Sequence, residues 1–313
     1  MNSVINIGTN PIAWSNDDLP ELGGATPLED CLAQARQAGY AGIERGHKFP
    51  NDPTSLRETL ARHGLRFVSG WYSGRLREHD ADAEIAAMAT HLDLLAKNDA
   101  PVLIYAETTG CIHGDRSAPL SRGPRMAPDD WPRFCARLNR VAAHCAERGV
   151  ALVVHHHMGT AIETGDNIAR LMDGTDDTVG LLLDSGHATF AGIDPTQLAA
   201  DYATRIRHVH CKDIRREVFS RARAGDWSFL DSVIAGVFTV PGDGFIDFPA
   251  MLAALAAADY AGWMVVEAEQ DPARAEPLHY ARMGYDNLSA MLREAGFAIA
   301  DPLPIPPTKE ILS

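Results

Sequence analysis

Five cysteines (Cys31, Cys111, Cys135, Cys145, Cys211) are odd in number and too scattered for a disulfide framework or a zinc knuckle. Reduced thiols in a cytoplasm are the simplest reading of that pattern. The N-terminal stretch MNSVINIGTNPIAW lacks a basic segment followed by an apolar run, and no long apolar run occurs elsewhere, so neither a signal peptide nor a membrane span is expected. Basic residues are in deficit, 28 Lys and Arg against 42 Asp and Glu, a formal net charge of −14. Such a surface repels phosphate backbones and anionic lipid, which argues against nucleic-acid and membrane partners. No GxGxxG follows the first strand-like run and no GxxxxGK[ST] occurs, so nucleotide binding is disfavoured. There is no internal repeat beyond an alternation of strand and helix, and no low-complexity tract.

That alternation is the dominant positive signal. Short runs of Val, Ile and Leu that end in polar residues recur about eight times: 5–10, 41–45, 65–71, 101–107, 151–157, 180–186, 206–213 and 262–269. Strands buried on both faces of a parallel sheet read this way. Between them lie amphipathic, Ala- and Leu-rich stretches such as 27–39, 81–97, 131–149 and 248–260, several closed by a Gly that stops a helix. The pattern predicts α/β architecture, a single-domain (β/α)8 TIM barrel over residues 1–300, followed by a Pro-rich tail over 301–313. The segments after the fourth and seventh strands are long and rich in Gly, where barrel enzymes elaborate their active-site loops.

In such a barrel the C-terminal strand ends converge on one face, so polar residues far apart in sequence become neighbours. Strand two offers Glu44, strand three Trp71 and strand four Glu107. Strand five ends in His155, His156 and His157, and strand six in Asp184 with His187 close behind. Strand seven carries His208, His210, Lys212 and Asp213, and strand eight Glu267 and Glu269. Imidazole and carboxylate donors of this kind suit one divalent ion such as Mn²⁺, Co²⁺ or Zn²⁺. Residues two apart share a strand face, which groups His155 with His157, His208 with His210 and Glu267 with Glu269. Glu44, Glu107 and Trp71 are candidate substrate contacts, with Trp14 a further candidate at the mouth. His63, His79, His91 and His144, on helical or loop stretches, are expected at the surface.

The segments TNPIAWSNDD, RGHKFP, VSGWYS, HHHMGT, LLLDSGHATFAG, HVHCKDIR, GVFTVPGDGFIDF and GWMVVEAEQDP run in order from residue 9 to about 272. At these residues the sequence resembles the xylose-isomerase-like TIM-barrel superfamily of sugar isomerases and epimerases, and within it the inosose dehydratases of inositol catabolism. The resemblance implies a divalent ion, Mn²⁺ or Co²⁺ foremost with Zn²⁺ or Mg²⁺ as alternatives, held by side chains of strands five to eight. Asp184, His210 and Glu267 match that ligand set directly, while His155 stands where the superfamily has glutamate. His187 matches a substrate-binding histidine and Arg216, more weakly, a substrate-binding arginine.

Superfamily epimerases work with two metal-bound glutamates, and His155 removes one of them. A dehydration needs only one C–H proton taken and help for a departing hydroxyl. The resemblance therefore implies a lyase that removes water from 2-keto-myo-inositol (scyllo-inosose), giving a trihydroxycyclohexane-1,2-dione. Glu267 or His157 is the expected base, and Lys212 or His187 the expected acid. A small polyol-ketone is the expected substrate, and self-association is common in the superfamily. The rivals are ketose or inosose epimerisation on the same metal, a barrel endonuclease, which the acidic charge disfavours, and a non-catalytic sugar-binding protein.

Overall fold

The computed structural model describes residues 3–305. Eight parallel strands pair in chain order: β1 (Val4–Thr9), β2 (Gly42–Arg45), β3 (Arg66–Gly74), β4 (Val102–Glu107), β5 (Ala151–His155), β6 (Val179–Asp184), β7 (Ile206–Cys211) and β8 (Gly262–Val266). β8 pairs back onto β1, from Ile5 opposite Gly262 to Thr9 opposite Val266, so the sheet closes. The expected (β/α)8 barrel is what forms. A short strand, Ala298–Ile299, pairs with the start of β1 outside the closed ring.

Alternation along the strands builds the interior. Outward residues such as Leu103, Leu152, Val154, Leu181, Leu183, Val209 and Met264 join the large core between strands and helices. Inward residues stack in layers, as barrel interiors do. Ala41, Val68, Trp263 and Val265 form one apolar cluster, and Val102, Ile104, Val153 and Leu182 another. Above them the same inward rows turn polar, with His155 following Val153 and Asp184 following Leu182. The register slips once between Ile43 and Arg45 in the β2–β3 pair and once at Leu181–Leu182 in the β6–β7 pair. Such irregularities re-aim side chains beside active sites, and the first of them falls at Glu44.

The helices follow from the sequence in the same direct way. Helix Trp131–Glu147 buries Trp131, Phe134, Cys135, Leu138, Val141, Ala142 and Cys145, a one-sided helical stripe. Asp52, Asp80, Thr164, Ser228 and Asp247 each accept a backbone N–H at a helix start. The long excursion after β7 is structured: Asp213–Ile214 pairs antiparallel with Phe238–Thr239, and helices Arg216–Gly225 and Phe229–Ile234 lie between. Its apolar faces, including Ile214, Phe229, Val233 and Phe238, pack with Met158 and Phe190 in a second cluster over the site. Asp213 pins this excursion by accepting N–H groups from Ile214, Gly242, Gly244 and Ile246 at 2.7–3.0 Å.

Some expected boundaries shift. Strands five and eight stop at His155 and Val266, short of 157 and 269, because the chain there leaves the ladder to build loops; His157 N already donates to Ile162 O across a turn. Of the Pro-rich tail, residues 301–305 run without regular structure, with Leu303 O accepting from Arg36 Nη2 at 3.2 Å. The rest of that tail, 306–313, lies outside the described residues.

His63, His79, His91 and His144, expected at the surface, are all half-buried. His91, on helix Ala81–Lys97, reaches the Gly70 carbonyl at 3.3 Å, and burial pushes its pKa down to about 4. The unfolded chain takes up this proton below about pH 6.5, whereas the folded ring resists it until about pH 4. Stability is therefore lost as pH falls through that window. We expect His91→Gln, which does not titrate, to reduce the slope of unfolding free energy against pH there by up to one proton, as read by urea denaturation from pH 7 to 4.

Candidate metal centre and active-site cavity

Four residues from four consecutive barrel strands or their ends, His155, Asp184, His210 and Glu267, bring one donor atom each within 4.8 Å of one another. His155 Nε2 lies 3.6 Å from Asp184 Oδ2, which is 3.5 Å from His210 Nδ1, which is 2.5 Å from Glu267 Oε2. Ligands of one ion held at about 2.1 Å sit roughly 3–4 Å apart, a spacing met by the 3.6 and 3.5 Å separations, while His210 and Glu267 lie closer, as an ion pair.

The surroundings decide which atom of each residue is offered. His155 Nδ1 donates to the His156 carbonyl at 3.0 Å, leaving Nε2 as the lone pair. His210 Nε2 donates to Glu44 Oε1 at 3.1 Å, leaving Nδ1. Asp184 spends Oδ1 on the N–H of His187 at 2.8 Å, capping helix Ser185–Phe190, and keeps Oδ2 free. Asp184 thus serves as helix cap and cluster member at once. Asp184 Oδ2, His210 Nδ1 and Glu267 Oε2 are buried without any hydrogen-bond partner. Buried polar atoms are rarely left unpaired, and three that converge fit a divalent metal.

The electrostatics agree. Burial works against a charged His210, but the Glu44 and Glu267 carboxylates outweigh it and hold the imidazole well above its ordinary pKa. Burial also opposes ionisation of Glu44, yet His210 and His208 keep that carboxyl well below the usual range. Asp184 is likewise held low against burial by Lys212 and His210. A cluster that recruits positive charge in this way has a preference for a cation built into it.

The cluster forms part of the wall of a cavity of about 270 Å³. Its other walls are Asn10, Ile12, Asp17 and Asp18 after β1, Glu44 to His47 at and after β2, Trp71, Ile104, His157 and Glu269. Trp71 packs its ring edge-on to His155 and His157 at 5.6 and 5.4 Å. His157 donates Nδ1–H to the Met158 carbonyl at 2.8 Å, which leaves Nε2 as a lone pair on a cavity-lining side chain. Burial keeps this ring neutral, well below its ordinary pKa.

Several expected site residues lie elsewhere. Glu107 shares strand parity with Leu103 and Tyr105, so it faces the helix layer. Its carboxylate accepts from Tyr105 Oη, Leu76 N and Thr109 N at 2.8, 2.9 and 3.1 Å, and it does not line the cavity. Arg216 is exposed and lies over the Phe245 ring at 4.1 Å, outside the cavity, because it opens a surface helix. Trp14 is buried in the core, donating to Gln34 Oε1 at 2.7 Å. Glu44 reaches the cavity, but both its oxygens are engaged, by Asn10, Ser69, His208 and His210 at 2.6–3.1 Å. It positions the metal centre more than it offers itself to a substrate. Lys212 and His187 sit behind the wall: the ammonium lies 3.1 Å from His187 Nε2, 3.2 Å from Glu269 Oε2 and 3.4 Å from Glu267 Oε1, and the His187 ring packs at a tilt against His157, centroids 3.9 Å apart. Asn10, Asp17, Asp18, His47 and His113, which belong to loops, and Arg45, the last residue of β2, are not among the expected site residues. The polar run SNDD (15–18), a few residues past the end of β1, was the one available signal.

Barrel, cavity and donor set together define a member of a class of barrel enzymes with a centre that could bind a divalent ion. The chain belongs to the xylose isomerase-like TIM barrel family, whose model matches residues 32–295. It is 51% identical over 95% of its length to a rhizopine catabolism protein, MocC, of Rhizobium meliloti, covering 91% of that protein. It is 44% identical over 88% of its length to an inosose dehydratase of Geobacillus thermodenitrificans, covering 94% of that enzyme. Among solved structures it superposes on a xylose isomerase-like TIM barrel protein from Mycobacterium smegmatis in complex with magnesium, with a TM-score of 0.69. That match spans 94% of this chain and 97% of the other at 17% identity, and speaks for the fold alone.

Metal binding to the native state alone raises apparent stability. We therefore expect Mn²⁺ to raise Tm and chelator to reverse the gain, with Asp184→Asn abolishing the difference. Glu44→Gln, which retains the four donors but loosens His210, is expected to weaken metal affinity by about 10–100-fold, measured by isothermal titration.

Proposed function

We propose that this protein is a hydro-lyase that dehydrates an inosose, with scyllo-inosose as substrate and a trihydroxycyclohexane-1,2-dione as product. The observation that carries the reading is one small cavity in which a neutral imidazole with a free lone pair, His157, stands next to the donor cluster of His155, Asp184, His210 and Glu267. The 44% identity to an inosose dehydratase over 88% of the chain supports the substrate class. Two imidazoles and two carboxylates suit a borderline divalent ion, for which we take Mn²⁺ or Co²⁺. Bound there, such an ion supplies Lewis-acid polarisation of the substrate ketone.

The protein's own groups do the rest. Asn10, Arg45 and His47 offer hydrogen bonds at the cavity rim to a ring that carries hydroxyls all round, and Trp71 offers an apolar edge to its C–H face. His157 Nε2 removes the proton from the carbon next to the ketone. Glu267, taken up by the cluster and by Lys212, is poorly placed to act as that base. The hydroxyl on the next carbon departs, and the resulting enol rearranges to the dione. His155 in place of a second glutamate leaves the cluster one negative charge poorer and withholds the opposed carboxylate that an epimerase needs to return the proton.

Incubating the purified protein with scyllo-inosose and Mn²⁺ is expected to produce the ultraviolet-absorbing dione and no epimer. His157→Gln should lower kcat by about 100-fold or more, the usual contribution of a general base, with metal uptake unchanged. His155→Glu should retain metal and lower dehydration. An epimerised product from the wild type, or unaltered turnover in both variants, would falsify the assignment.

A further inference from the structure

A departing hydroxyl needs a proton, and Lys212 and His187 are walled off from the cavity that would hold the substrate. Lys212 has no exposed surface and shares its charge among three partners. The carboxyls that line the cavity differ in what they are free to do. Asp17 accepts from the backbone N–H and Nδ1 of His47 at 3.1 and 2.5 Å. Glu269 accepts from Lys212 and from Asn16 Nδ2 at 3.2 and 3.5 Å, so both its oxygens are engaged, although burial outweighs Lys212 and raises its pKa to about 7.

Asp18 stands apart. Among the described residues no donor forms a hydrogen bond with its carboxyl, and the nearest imidazole nitrogen is His113 Nε2 at 3.7 Å. Its place is nevertheless fixed, because Asn16 Oδ1 accepts from the backbone N–H groups of Asp18 and Leu19 at 2.8 Å each. His113 is fixed too: its ring lies edge-on to Trp71 and His157 at 6.3 and 5.1 Å, and the Ile112 N–H donates to Gly159 O at 2.9 Å. Its Nδ1 is buried without a partner. Burial raises the Asp18 pKa, helped by Asp17 and Glu267 and opposed by His113 and Lys212. A carboxyl on the cavity wall with no hydrogen bonds to hold its charged form is suited to proton donation.

We propose that Asp18 is the general acid that protonates the departing hydroxyl, with His113 as its positioning partner. This rests on the dehydratase reading above. In the step, His157 Nε2 takes the proton from the carbon beside the ketone, and that C–H pair becomes a new C=C bond. The C–O bond of the next carbon breaks, its pair goes to oxygen, and the oxygen takes the Asp18 proton and leaves as water. Asp18 regains a proton from solvent at the mouth and His157 returns its own there, so the sum is the loss of one water with no redox change.

The test separates proton removal from hydroxyl loss. Wild type and Asp18→Asn, each with Mn²⁺, are incubated with scyllo-inosose in D₂O. Dione formation is followed by absorbance, and deuterium entry beside the ketone by NMR in recovered substrate. We expect Asp18→Asn to lose dehydration by about 100-fold or more while deuterium still enters within about threefold of the wild-type rate. An analogue with fluorine in place of the departing hydroxyl leaves without a proton, so the variant should release fluoride at near the wild-type rate, which also reports that it is folded. Asp18→Ala should show the same split and gain from added formate. Loss of exchange and fluoride release in proportion to dehydration, or undiminished dehydration, in a system whose wild type works would overturn this inference alone. A wild type that forms no dione overturns the dehydratase reading, and this one with it.

Discussion

One carboxylate, Glu44, ties the polar end of the barrel together. It sits 1% exposed at the β2 end and receives Ser69 from β3, Asn10 from just beyond β1, and both His208 and His210 from β7. A buried charge with four donors is fully compensated, and removing any one donor would leave a costly remainder. The arrangement selects the His210 tautomer, and with it the nitrogen turned toward Asp184 and Glu267. Metal ligands commonly depend on such outer partners for orientation. Here the partner also spans the bore, so the geometry of the cluster is coupled to closure of the sheet.

Because the same strands carry the core outward and the cluster inward, most of the fold and the cluster were legible in the sequence. The eight apolar runs give the barrel, their polar ends give the candidate donors, and the family resemblance narrows these to the four cluster residues. Alternation also explains the errors. Glu107 lies on the outward row with Tyr105, so its burial reflects helix packing, and counting from Ile104 would have excluded it. The loops were less legible because no period governs them. Asp18 and His113 meet only through tertiary packing, as the loop after β4 folds toward the one after β1. The contacts that hold each (an Asn side-chain turn for one, ring packing for the other) leave little trace in a single sequence. Lys212 misled for a different reason. It continues the inward row of His208 and His210, yet Glu267, Glu269 and His187 enclose its ammonium beneath the cavity surface.

That enclosure shapes the chemistry. Lys212 places a fixed positive charge beneath Glu267 and Glu269, offsetting part of the repulsion between two acids two residues apart. Gly186 makes room for it, since a Cβ there would lie 2.7 Å from the lysine stem. The excursion after β7 completes the seal by laying Phe229 and Phe238 against His187, and Phe238 also lies 4.6 Å from the ammonium. Electrostatic terms gain weight when water is kept away, so this apolar cover strengthens the polarity of the cluster as well as adding to the core.

On the proposed reading, the exchange of the glutamate implied by the resemblance for His155 acts through charge. With Glu267 and Asp184 the remaining anions, a divalent ion in the cluster is just neutralised, whereas a third carboxylate would leave net negative charge next to the substrate. Negative charge there opposes formation of an enolate, and its absence favours it. The same exchange leaves His155 unable to return a proton, because its Nδ1 is committed to the His156 carbonyl and its Nε2 faces Asp184. Easier proton removal without a second group to replace the proton biases an enolate toward expelling its neighbouring hydroxyl. On the proposed dehydratase reading, this one strand-end residue would move the balance from epimerisation toward elimination.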